Sequence, residues 1–402
     1  MQRTLQQRRQ RGFSLIELMV ALVIGMVLTL AVFALLAAWE GRKRITTGLN
    51  DLEQAGNLAL YQLDTWVRSA GSGFSGAAAV DNSIYGCLLH ATGAGGQTLP
   101  NPEALPAPFA SVNPDGDGNF PLLPVMILPG ATEPGENDEP SDALLIMGGS
   151  AAQSGVALAM AAPPTGTSLT LGNTLGFQAG DLLLLADNKL GPNCMLTQVD
   201  KDFSSDDGKA TAVKLGGSFH SATIGAASIA SSFDPDSAVV LPMGAPGTHS
   251  PQFLLVGVGD HNTLFSYDLL QTAGASAALQ ARADGIFELH ALYGVDDDGD
   301  GDVDGWASAT SGDYGVEALM DGSASAKQRI LRIKALRVGL ILRTTLPEKE
   351  ADDTSTPETL VLFSDLAEGL QVRRSLGEDA RRFRYRVMEA TLPLRNNLAL
   401  RG

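Results

Sequence analysis

Five aspartates, Asp296, Asp298, Asp300, Asp302 and Asp304, alternate along one short stretch, with Gly301 following the third. Hard oxygen ligands at alternate positions are what calcium takes, and Asp296-x-Asp298-x-Asp300-Gly301 repeats the first half of an EF-hand-type loop. The bidentate Glu that normally closes such a loop is missing, because Ala307 stands at the twelfth position. Any remaining ligand has to come from elsewhere in the chain. Carboxylates this close repel one another at neutral pH, and a cation relieves that repulsion. Calcium is therefore the cofactor this stretch predicts, against the plainer reading of a solvated acidic turn between strands. Asn113-x-Asp115-x-Asp117-Gly118-Asn119 is a second, weaker version of the same pattern.

Other chemistries lack their parts. His90, His220, His249, His261 and His290 are scattered, with no H-E-x-x-H spacing and no cysteine pair beside them, which argues against a transition-metal centre. There is no G-x-S-x-G elbow and no G-x-x-x-x-G-K-[ST] loop, so serine-hydrolase and nucleotide-hydrolase readings fall away. Acidic pairs are plentiful but sit in turn-like runs where solvation accounts for them as well as acid-base work would. The expectation is a protein without a catalytic site. A formal charge of −17 also speaks against nucleic acid as the main partner, since that affinity rests on clustered Lys and Arg. Cys87 and Cys194 are the only cysteines. In an oxidising compartment they would close a loop worth about 2 to 4 kcal/mol; otherwise they are two buried thiols.

The first 12 residues hold four Arg and no acid, and an uncharged run of 21 residues, Leu18 to Ala38, follows. At about 1.5 Å per residue such a helix crosses a bilayer. A secretory signal peptide has a shorter apolar core with its small-residue cleavage site after it. Here the small residue comes before the apolar run, in Arg11-Gly12-Phe13-Ser14-Leu15-Ile16-Glu17. Glu17 is the one charge inside the greasy segment, and a carboxylate at mid-bilayer costs roughly 2.5 to 3.5 kcal/mol, so it calls for a partner or for a place at the headgroups.

At these residues the chain resembles type IV prepilins. The resemblance implies that a prepilin peptidase cuts between Gly12 and Phe13 and methylates the new amino group of Phe13. It implies further that Glu17 pairs with the amino terminus of a neighbouring subunit during assembly. Residues 1–12 would then be a leader. Everything past residue 40 or so would be periplasmic before assembly, the chain crossing the inner membrane once, and extracellular in the filament.

The helix that positions Glu17 continues past the membrane. Ile45, Leu49, Leu52, Ala59, Leu60, Leu63 and Val67 recur at three- and four-residue intervals with polar residues between them, and Gly71-Ser72-Gly73 ends the pattern. One helix is expected over 13–71, greasy first and amphipathic second. Gly41, Gly48 and Gly56 each weaken it by up to about 1 kcal/mol.

Beyond it, short apolar runs punctuated by Gly, Pro, Asn and Asp predict strands. They fall at 143–147, 181–186, 195–199, 212–215, 238–241, 253–258, 263–269, 285–293, 333–343, 359–363 and 384–394. In the 336–343 run the even positions are apolar, as a strand with one buried face requires. Residues 92–141 read as an irregular Pro- and Gly-rich loop. The fold class expected is α+β: a type IV pilin-like long N-terminal helix packed on an antiparallel sheet. The head, 72–402, would divide into a large β-rich insertion at 75–280 and a C-terminal sheet at 281–402.

The words Leu292-Tyr293-Gly294-Val295 before the aspartates, Trp306 after them, Val338-Gly339-Leu340, and Thr391-Leu392-Pro393-Leu394-Arg395-Asn396-Asn397 are similar to the PilW family of minor pilins. That resemblance implies a minor pilin that helps initiate a type IV pilus and forms part of its tip, supporting twitching motility and adhesion. Its partners would be other minor pilins, the major pilin and a tip adhesin. The alternatives are a J-type minor pseudopilin of type II secretion, and a membrane-anchored binding or enzymatic module carried by the insertion.

Overall fold

The structure, a computed structural model, describes residues 14–77, 84–132, 140–149, 156–187, 193–247, 250–271, 278–347, 356–398 and 400. It is α+β, with two compact units, Met1–Asp51 and Leu52–Gly402. A single 55-residue helix, Leu15–Ser69, supplies the first unit and enters the second. Leu15–Leu36 is long and apolar enough to cross a membrane, and its side chains are exposed throughout. An apolar surface of that length left bare in water would cost far more than a soluble helix tolerates.

In the second unit the helix shows why its pattern changes. Leu52, Gly56, Ala59, Leu63, Val67 and Ala70 are buried, at helical spacing, while Glu53, Leu58 and Tyr61 are exposed. The buried stripe lies on a four-stranded antiparallel sheet ordered Gly305–Ala307, Ile286–Val295, Ile333–Arg343, Tyr385–Pro393. A Cβ on Gly56 would collide with Met388 and would lie 2.7 Å from the Leu342 side chain. This glycine, read from sequence only as a weak point in the helix, is a place where helix and sheet approach too closely for a Cβ. Gly71 (φ +79°) and Gly73 (φ +84°) then turn the chain away, in a conformation that side chains rarely adopt.

The Ile333–Arg343 strand runs in the middle of its sheet and has two faces. Leu336, Val338, Leu340 and Leu342 join the core under the helix. On the other face Ile341 packs with Phe287, Leu360, Leu362 and Phe363 under the Thr359–Leu362/Val372–Ser375 hairpin.

Two larger sheets precede this one. A five-stranded antiparallel sheet runs Leu279–Asp284, Thr263–Asp268, Gln252–Gly259, Ser141–Gly148, Val125–Thr132. An eight-stranded sheet draws all its strands from residues between Leu88 and Gly244. Cys87 and Cys194 are disulfide-bonded, at the start of the parallel pair formed by Leu88–Gly93 and Asn193–Gln198.

Strands are found at every expected position, and others go beyond them. Gly96–Leu99 and Val125–Thr132 lie inside 92–141, which is therefore not the uniform irregular loop that its composition predicts. Val125-Met126-Ile127-Leu128 is fully buried, but Pro124 and Pro129 flank it and conceal the run.

Side chains pin the five-stranded sheet to the four-stranded one. The Ser141 hydroxyl accepts from Leu289 N–H (2.8 Å) and donates to Leu289 C=O (2.9 Å). Asp142 accepts from Ala291 N–H (3.0 Å), and the Tyr293 hydroxyl accepts from Ile127 N–H (2.6 Å). Buried backbone groups at this junction are satisfied without a continuous ladder.

Candidate functional site

The amino-terminal end of the helix is built as a capping box. Glu17 N–H donates to the Ser14 hydroxyl (3.2 Å), and Ser14 N–H donates to the Glu17 carboxylate (3.0 Å). Two of the otherwise unpartnered donors of the first turn are thereby satisfied, and the carboxylate is held at the positive end of the helix dipole. Sequence reasoning placed Glu17 in the first turn but did not read Ser14 as its reciprocal partner, although S-x-x-E is the usual signal. Gly12 and Phe13 lie outside the described residues, as does His249.

The acidic loop follows the Ile286–Val295 strand. Asp296, Asp298 and Asp304 converge, each offering an oxygen within 4.8 Å of the others. Asp300 and Asp302 are not in that group. The loop is braced by its own turns: Asp296 accepts from Gly299 N–H (2.6 Å) and Gly301 N–H (3.0 Å), and Asp304 accepts from Asp297 N–H (2.7 Å). Asp296 is fully buried whereas Asp298 and Asp304 are exposed. In the Asn113–Asn119 stretch the Asp115 carboxylate is taken up by Asp117 N–H, Asn119 N–H and the Asn119 amide.

Buried carboxylates need positive charge nearby, and Asp296 has Lys334, whose Nζ is 3.6 Å away with a wholly buried side chain. Burial pushes the Lys334 pKa down, against the pull of Asp296. The same ammonium donates to Asn397 C=O (3.1 Å) and Leu400 C=O (2.7 Å). Asn397 is buried and fully engaged. Its amide donates to Ile330 and Ile333 C=O (3.1 Å each), and its oxygen accepts from the Tyr85 hydroxyl (2.8 Å). Asn396 donates to Ala70 C=O (2.8 Å) at the end of the long helix. Sequence reasoning missed Lys334. It lies at a register shift, where Gly294 pairs with Ala335 and Val295 with Ile333, so the strand's alternation gave no signal of it.

A second charged cluster joins the sheets. His290 stands 3.2 Å from Glu288 and 3.6 Å from Asp142, and Arg374 is 2.8 Å from Glu288. Arg343 lies between the rings of Phe287 and Phe383. Every charge in this cluster has an opposite or aromatic neighbour. These pairings tie the Ile286–Val295 strand to Asp142 and to the Val372–Ser375 strand.

Comparison with known families agrees with the two ends of the chain. Residues 7–33 match the prokaryotic N-terminal methylation motif, and residues 255–396 match type IV pilus-assembly protein W. The chain is thus PilW-like over its C-terminal match and prepilin-type at its amino terminus. The PilW match starts inside the Gln252–Gly259 strand and takes in the whole four-stranded sheet, the acidic loop and Asn396. The methylation motif takes in Gly12, Phe13 and Glu17. Residues 34–254 lie outside both matches. No curated protein and no solved structure matches this PilW-like chain at a significant level.

Proposed function

We propose that this protein is a minor pilin that helps initiate a type IV pilus and takes a place in its tip complex. The observation that carries the reading is the prepilin motif set on a bare apolar helix, with Glu17 held in the first turn by Ser14. Prepilin peptidase would remove residues 1–12, and the helix would then pass from the inner membrane into the filament, where Glu17 meets the amino terminus of another subunit. The head, periplasmic at first, becomes extracellular. Other minor pilins, the major pilin and a tip adhesin are its partners, and residues 75–280 are an insertion that presents surface to them. The PilW match favours a pilus over a J-type pseudopilin of type II secretion, and the matched family is one of structural pilus components rather than enzymes. Deletion of the gene, with complementation by Gly12 and Glu17 variants, tests the proposal through the number of surface pili.

Calcium is the cation proposed for the acidic loop, through Asp296, Asp298 and Asp304 rather than all five aspartates. Titration calorimetry on the full chain in detergent is expected to give calcium heats that vanish when Asp298 and Asp304 are both changed to Ala. Heats unaffected by those changes, or none in the unaltered protein, would remove calcium from the account.

A further inference from the structure

We infer that Lys334, Asn396 and Asn397 are positioning residues for the long helix, forming a latch at its carboxyl-terminal end that Asp296 supports from the acidic loop. The last carbonyls of a helix have no partner within it and must find donors elsewhere. Here the Asn396 amide comes from the far end of the sequence to serve Ala70 C=O (2.8 Å) and Ser69 C=O (3.4 Å). Asn396 is held in place by its neighbour: Asn397 is 1% exposed and spends its side chain on Ile330, Ile333 and Tyr85. Lys334 then closes the turn by donating to the carbonyls of Asn397 and Leu400. A lysine this deeply buried needs a counter-charge, and Asp296 supplies it at 3.6 Å.

A continuous run of polar contacts thus leads from the acidic loop through Lys334 to the end of the helix. Because Asn396 and Asn397 follow the Tyr385–Pro393 strand, the helix end is fixed only once the strands before them have been made. The consequence for assembly rests on reading the helix as the assembly element, whereas the structural coupling does not.

Hydrogen exchange at the amides of residues 66–75, followed on the full chain in detergent with a chelator present, tests the latch. Asn396→Ala is expected to speed exchange there about fivefold, with the eight-stranded sheet unchanged, as loss of one hydrogen bond predicts. Lys334→Met and Asp296→Asn should each speed it further, because each leaves a buried charge unpaired. The double variant should return toward the unaltered protein, since neither charge is then present. A lysine that merely fills space would show no such recovery. Unchanged exchange at 66–75 in Asn396→Ala, or a double variant no slower than the singles, would overturn the inference. Asn396→Ala keeps the question answerable if Lys334→Met does not fold.

Discussion

His290 is where pH acts on this fold most directly. Burial alone would disfavour its protonated ring, but the bonds to Asp142 and Glu288 outweigh that and raise its pKa from 6.5 to about 9. Arg374 faces the same Glu288, and Arg343 and Tyr385 lie against Phe287 beside it. The folded value is above the unfolded one. The stabilisation is therefore complete below pH 6.5 and is lost as pH rises through about 9, a contribution of about 3 kcal/mol. Urea denaturation should give a midpoint that falls between pH 6.5 and 9.5 in the unaltered protein and falls much less in His290→Asn. Equal pH slopes for the two would show that the ring is not protonated in the fold. The sequence offered little warning of this. His290 looks like one of five scattered histidines, and only the pairing of distant strands brings Asp142 to it. Glu17 stood out as the one charge in an apolar run, but its partner Ser14, in the same turn, was not read.

Elements were legible in proportion to how local their causes are. The helix could be bounded from sequence within about two residues at each end, because its apolar spacing and the Gly71-Ser72-Gly73 stop are written in one stretch. The Ile333–Arg343 strand was read at its full length from its alternation. Val125–Thr132 was missed because prolines flank its buried residues, and Leu158–Thr165 because Pro163 and Pro164 sit inside it. Gly56 was misjudged for a different reason: helix propensity is a local quantity, whereas the need for glycine there comes from Leu342 and Met388 on the facing sheet. Gly56→Val should therefore destabilise the protein by about 1 to 3 kcal/mol despite the better helix propensity of valine. Denaturation of the full chain checks this, and a variant as stable as the unaltered protein would mean that helix and sheet are less closely packed than described.

At the scale of the molecule, the two ends carry the functional motifs that were legible, whereas the middle showed strands but no such motif. The amino-terminal motif and the C-terminal words correspond to the two matched regions, residues 7–33 and 255–396. The large sheet between Leu88 and Gly244 has a disulfide and a deep core but no cluster of reactive groups among its described residues, so its composition and spacing carry no signal of a ligand. On the proposed reading assembly runs through the helix: Gly12 and Phe13 would mark where the chain is processed, Ser14 and Glu17 cap its first turn, and the latch fixes its other end. The most direct test is the count of surface pili in a strain lacking the gene, complemented with the unaltered chain, with Gly12→Val or with Glu17→Ala. The account predicts few pili in the deletion strain, recovery with the unaltered chain and no recovery with either variant. Normal piliation without the gene would contradict it.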